Sequence, residues 1–134
     1  MTNQTVKNSF DTSVIFKPTS LANGLAAFHT DPVNTDLDRK RLTMTSRKVG
    51  KGPLARSRIK LLVEVPQVST ASVADGSGFV PNPKVAFINR VTIEFEIHPN
   101  SNSTQRDELQ WLATGLATGN ADVTNLVQVG QAIF

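Results

Sequence analysis

The 134-residue chain has no cysteine, no tyrosine, two histidines and a single tryptophan. Without cysteine there is no thiolate nucleophile, iron-sulfur cluster, thiolate zinc site or disulfide framework, and the redox compartment is left open. A chain of this length buries roughly two-thirds of its unfolded surface, so one domain without covalent or metal staples is expected. No apolar run approaches the roughly 18 residues that span a bilayer. The first 20 residues lack a basic start followed by an apolar stretch. The expectation is a protein neither secreted nor embedded in a membrane.

Groups able to transfer a proton, attack a substrate or hold a metal are also scarce. His29 and His98 each stand without a second histidine or a paired acid at ligand spacing, which suits structural roles better than metal ligation. Glu94 and Glu96 fall on one strand parity, yet two exposed glutamates more often mark a solvated face than an acid-base pair. Gly50-Lys51-Gly52 and Gly76-Ser77-Gly78 lack the G-x-x-x-x-G-K-[ST] spacing that wraps a phosphate, and read as hairpin loops. Asn3-Gln4-Thr5 and Asn102-Ser103-Thr104 match the glycosylation pattern by chance in a chain with no secretory start. Trp111 reads as a packing anchor and not as a base-stacking platform. No catalysis, cofactor, metal or small-molecule substrate is expected.

Acidic residues are missing altogether from Arg39 to Lys60, and that window holds nine of the fourteen bases: Arg39, Lys40, Arg41, Arg47, Lys48, Lys51, Arg56, Arg58 and Lys60. The rest of the chain carries five bases against eleven acids, so the net +3 conceals a locally basic protein. A basic run is often only a solvated surface. It becomes a polyanion site when the bases share a face.

Strand parity supplies that face. From Arg58 to Val65, Ile59, Leu61, Val63 and Val65 are aliphatic, while Arg58, Lys60, Leu62 and Glu64 fall on the other side. The pattern is a half-buried strand, with Pro66 ending it or breaking its pairing. A second strand runs from Asn89 to Ile97, with Val91, Ile93, Phe95 and Ile97 opposite Arg90, Thr92, Glu94 and Glu96. A shorter third, Arg41 to Arg47, alternates Leu42 and Met44 with Arg41, Thr43, Thr45 and Arg47. Three such strands imply an antiparallel sheet with one open face. That face carries Thr43, Thr45, Arg47, Arg58, Lys60 and Arg90, a basic, hydroxyl-bearing surface suited to an RNA backbone.

Lys48–Ala55, with Gly50, Gly52 and Pro53, reads as a hairpin loop, as does Ser72–Pro83 with Asp75, Gly76, Gly78, Pro81 and Pro83. Thr5–Phe10 and Ser13–Phe16 flank an Asp11-Thr12 turn and read as a small hairpin. Thr104-Gln105-Arg106-Asp107 has the form of a helix N-cap, and Leu109, Leu112, Ala113 and Leu116 then recur at helical spacing up to Gly119-Asn120. Asp122 or Thr124 opens a second helix. This pair has an apolar stripe and needs a sheet to cover.

Four stretches together resemble the coat proteins of small single-stranded RNA bacteriophages of the levivirus type. They are Leu21–Phe28, Ile59–Val68 with its Val63-Glu64-Val65-Pro66-Gln67-Val68 core, Arg90–Phe95, and Arg106–Ala113. The order, spacing and apolar-aromatic end Ala132-Ile133-Phe134 are similar as well. The resemblance implies an α+β coat-protein domain over 1–134. An N-terminal β-hairpin (1–19) leads into a five-stranded antiparallel sheet (20–97), and two C-terminal helices with a tail (104–134) are exchanged across an interlocked dimer. It implies dimers that tile an icosahedral shell, usually T=3, around single-stranded genomic RNA, located in the virion and assembled in the bacterial host cytoplasm. It also implies binding of an RNA hairpin for packaging and translational repression, with no membrane involved. Thr43, Thr45, Arg47 and Arg58 fall where relatives contact RNA. Lys60 stands where relatives carry threonine and Leu62 where they carry lysine, and a stacking tyrosine near Ala86–Ile88 is absent. Leu109, Leu112 and Leu116 would cover the partner's sheet, and Asp75, Gly76, Gly78 and Pro81 lie in the loop expected to adapt to quasi-equivalent contacts. The competing expectation is a small dimeric cellular RNA-binding regulator that closes no shell.

Overall fold

A computed structural model describes residues 2–7, 12–69 and 82–119. Phe10 and Asp11 of the expected first hairpin, Asp75, Gly76, Gly78 and Pro81 of the expected assembly loop, and the expected second helix lie outside those residues. The chain divides into two compact units, Met1–Glu96 and Ile97–Phe134.

The first unit is a sheet of six strands in chain order: β1 (Gln4–Lys7), β2 (Ser13–Ala22), β3 (Leu25–His29), β4 (Arg41–Val49), β5 (Arg56–Ser69) and β6 (Lys84–Ile97). Neighbours from β1 to β5 pair antiparallel. Across β5 and β6 the side-chain partners descend along one strand as they ascend the other: Arg56 with Glu96, Arg58 with Glu94, Glu64 with Arg90. The N-terminal hairpin is continuous with the sheet, giving six strands where five were expected after a separate hairpin. The reason is β2, whose Val14 faces Val6 of β1 while Lys17 faces His29 of β3. Its register shifts between Pro18 and Ser20, where proline has no N–H to give a ladder.

Two tight turns fix the pairing. Asn23-Gly24 joins β2 to β3 with Gly24 at φ +75°, the left-handed conformation that glycine reaches without strain. Between β4 and β5, Gly50 and Gly52 have φ of +99° and +74°, and a 3-10 turn at Gly52–Leu54 returns the chain so that Val49 faces Arg56. Pro66 does not end β5, which continues to Ser69. The β4 register stops at Arg41 opposite Glu64, so the missing N–H of Pro66 removes no bond on that side.

The aliphatic parity forms the core. Phe16, Phe28 and Leu42 are only 4–5% exposed, and Val14, Ala26, Met44 and Val63 pack against them. Register explains the grouping: Phe28 faces Leu42, Ala26 faces Met44, Leu42 faces Val63 and Met44 faces Leu61. On β6, by contrast, every residue from Lys84 to Glu94 is exposed, including the apolar parity Val85, Phe87, Val91 and Ile93.

In the second unit, α1 spans Ser103–Gly119. Its cap is Asn102 and not Thr104. The Gln105 amide donates to Asn102 Oδ1 (2.9 Å), and the Asn102 amide donates to Gln105 Oε1 (3.1 Å), two orphan donors satisfied reciprocally. His98 is structural here: its Nδ1 accepts the Asn100 amide at 3.2 Å and its carbonyl accepts the Ser101 hydroxyl at 2.8 Å. Leu109, Leu112 and Leu116 are 41%, 59% and 57% exposed in the single chain, and Trp111, expected to be an anchor, is 76% exposed.

Candidate nucleic-acid interface

The β4–β5 register sets Thr43 opposite Leu62, Thr45 opposite Lys60, and Arg47 opposite Arg58 on the face away from the core. Two arginines facing each other across a pair of strands repel. Acids from β6 offset that repulsion. Arg58 Nη2 lies 3.0 Å from Glu96 Oε2 and its Nε 3.1 Å from Glu94 Oε1, while Arg56 Nη1 donates to Glu96 Oε1 at 2.7 Å. The hydrogen bond from Arg56, reinforced by that from Arg58, holds the Glu96 carboxyl below its ordinary value of 4.5. The same hydrogen bond to Glu96, then the charge of Glu94, pushes the Arg58 guanidinium up. Farther along the face, Arg90 Nε donates to Glu64 Oε1 at 2.7 Å.

Thr45, Arg47, Arg58, Lys60 and Glu94 line a shallow depression of about 260 Å³. The Thr45 hydroxyl donates to the Lys60 carbonyl at 3.3 Å, which leaves its lone pairs open as acceptors. Arg47 and Lys60 take part in no ion pair among the described residues. The depression therefore combines two unpaired cations, one hydroxyl acceptor, one shared guanidinium and one carboxylate.

Of the six residues expected on this face, Thr45, Arg47, Arg58 and Lys60 meet at one spot, and Thr43 lies on the same parity beyond Thr45. Arg90 stands farther along, tied to Glu64. Sequence reasoning put Glu64, Glu94 and Glu96 on the polar parity without counting them in the site, and passed over Arg56. Their signal was present: all four share the outward parity, and arginines on β5 alternate at the spacing of the glutamates on β6. Among the described residues no cluster of three metal-ligating side chains occurs.

The family model for the levivirus coat protein matches residues 1–134. The chain belongs to the levivirus coat protein family. Solved structures similar to it include the virus-like particle of bacteriophage ESE058 (TM-score 0.80, 14% identity, covering 99% of this chain and 96% of that one). The virus-like particle of Beihai levi-like virus 21 is similar too (TM-score 0.80, 21% identity, 98% and 96% covered). So is the bacteriophage GA protein capsid (TM-score 0.73, 20% identity, 96% and 92% covered). No curated protein sequence matches the chain significantly. At these identities the structures establish the fold, and the family match establishes the role. This coat protein is a structural, non-enzymatic subunit that assembles with copies of itself into a capsid, and its place is the virion.

Proposed function

We propose that this coat protein forms an interlocked dimer that closes a T=3 shell around single-stranded RNA in the host cytoplasm. The polar face of β4–β6 would hold that RNA, including a hairpin whose binding represses translation. The observation that carries the reading is the segregation of faces. One side of β4 and β5 supplies Leu42, Met44 and Val63 to the core, while the other gathers Thr45, Arg47, Arg58 and Lys60 in one depression. Cations neutralise phosphates and hydroxyls bond bases or sugars, so both components of RNA recognition are present.

The dimer is supported by apolar surface left open in one chain. The Val85, Phe87, Val91 and Ile93 parity of β6 and the leucines of α1 are all exposed, and such surface on a soluble protein marks an interface. A second copy is the occupant that suits a closed, symmetric assembly. The segment carrying Asp75, Gly76, Gly78 and Pro81 would supply the contact that varies between dimers, since glycine admits several backbone conformations.

Expression of this chain alone, followed by size exclusion, negative-stain microscopy and nucleic-acid assay, tests the proposal. The expected product is a closed particle of 180 chains of 14.5 kDa, roughly 2.6 MDa, containing host RNA. A species of two chains that binds RNA yet never closes at high concentration would overturn the T=3 shell.

A further inference from the structure

The outward face carries competing charges. Arg56, Arg58 and Arg90 are held by carboxylates of neighbouring strands, whereas Arg47 and Lys60 are unpaired among the described residues. A guanidinium engages carboxylate and phosphate with the same donors. An RNA backbone reaching Arg58 therefore meets a site already occupied by Glu94 and Glu96. The occupation is incomplete: Arg58 Nε lies 3.1 Å from Glu94 Oε1 but makes no aligned hydrogen bond, so one donor still lacks its acceptor. It is also reversible, because the four side chains are between 29% and 56% exposed, and ion pairs at the surface exchange readily.

We propose that Glu94 and Glu96 act as internal competitors for the RNA backbone, holding Arg56 and Arg58 in the RNA-free coat protein and releasing them to phosphate when RNA arrives. The proposal rests on the RNA-binding reading of this face. First contact then falls to Arg47 and Lys60, and the strength of binding is set by an exchange of ion pairs and not by the number of cations. Such a face grips RNA less tightly than its arginines alone would allow. Dimers caught on the wrong segment of RNA can consequently let go and rearrange while a shell closes.

A double-mutant cycle on full-length protein freed of nucleic acid tests the exchange, with an oligouridylate of fixed length as probe and filter binding across a salt series. Glu96→Gln keeps the volume and an acceptor oxygen but removes the charge that holds two arginines. It should raise affinity roughly threefold or more, and Glu94→Gln should raise it less. In an Arg56→Ala/Arg58→Ala background the Glu96→Gln gain should disappear. A gain undiminished in that background would reveal only the loss of one negative charge and overturn the proposal, as would unchanged or weaker binding by Glu96→Gln. Should wild type bind, and Arg47→Ala and Lys60→Ala weaken binding while Glu96→Gln does nothing, only the competitor role falls. If neither wild type nor Glu96→Gln binds the probe, the RNA-binding reading falls with it.

Discussion

Asp38, the last residue of a short 3-10 turn at Asp36–Asp38, shows how one charge organises a loop. Between β3 and β4 its carboxylate accepts the amides of Val33 (2.8 Å), Asn34 (2.7 Å) and Thr35 (3.2 Å). Those bonds, that of Val33 foremost, hold its carboxyl below the ordinary 3.8. A folded pKa below the unfolded one stabilises the protein above the unfolded value, and the contribution is lost as pH falls through the folded value. Asp38→Asn should therefore lower the melting temperature at neutral pH, because an amide nitrogen then faces backbone donors. The deficit against wild type should shrink in calorimetry at pH values below 3.8. A deficit independent of pH would show that the charge is not what organises the loop. At this scale the sequence was legible wherever parity alone decides position. Thr45, Arg47, Arg58 and Lys60 meet because period-two alternation puts each on the outward face. The pairing of Arg56 and Arg58 with Glu94 and Glu96 was not, since it depends on the register between β5 and β6, strands separated by the long Ser72–Pro83 segment.

Among the elements, turns decide which strands can pair. β3 went unrecognised from its own residues because Leu25-Ala26-Ala27-Phe28-His29 has no alternation of polar and apolar side chains. The readable cue was Asn23-Gly24, a hairpin dipeptide whose glycine takes positive φ. Gly24 also approaches β4 closely: the Ser46 amide donates to its carbonyl at 2.7 Å, and a Cβ at Gly24 would collide with the Ser46 carbonyl oxygen. Gly52 has nearly the same φ, +74°, but open space around it. Gly52→Ala should thus cost only the left-handed strain, about 1–2 kcal/mol. Gly24→Ala should cost distinctly more, because the backbone of β4 must also move. Urea midpoints of the two variants provide the comparison, and equal losses would mean that the Gly24–Ser46 approach is not made in solution. The helix start differs from the Thr104 cap expected, and of the two readings of Pro66 the strand end is overturned while the β4 pairing does stop just before it, at Glu64. Proline is excluded only where a ladder needs its N–H, and Asn102 competes with Thr104 for the cap because its side chain, with Gln105 three residues on, satisfies two backbone donors at once.

For the molecule as a whole, the balance of buried and exposed apolar side chains matters most. Among the described residues only Phe16, Phe28 and Leu42 are buried, a small apolar core to set against the conformational entropy of that many ordered residues. The apolar stripe of α1 was legible from spacing, but its cover was not, because a stripe shows that something packs on it without showing which chain supplies it. In the proposed dimer the partner's sheet supplies the cover, and that has a distinctive thermodynamic consequence. Leu112 is 59% exposed in one chain, so truncating it would barely disturb an independent monomer. If dimerisation buries it fully, Leu112→Ala should cost about 2–5 kcal/mol, and the loss should appear in the association step. The melting temperature of the variant should then depend more steeply on protein concentration than that of wild type, since binding between copies is what stabilises the fold. Particles should disappear at concentrations where wild type still assembles, and dimers should be lost with them. Arg47→Ala, on the outward face, should leave both transitions in place. Thermal melts of Leu112→Ala over a hundredfold range of concentration decide the matter: a curve superimposable on wild type, with shells intact, would mean that α1 does not bury this residue against a second chain.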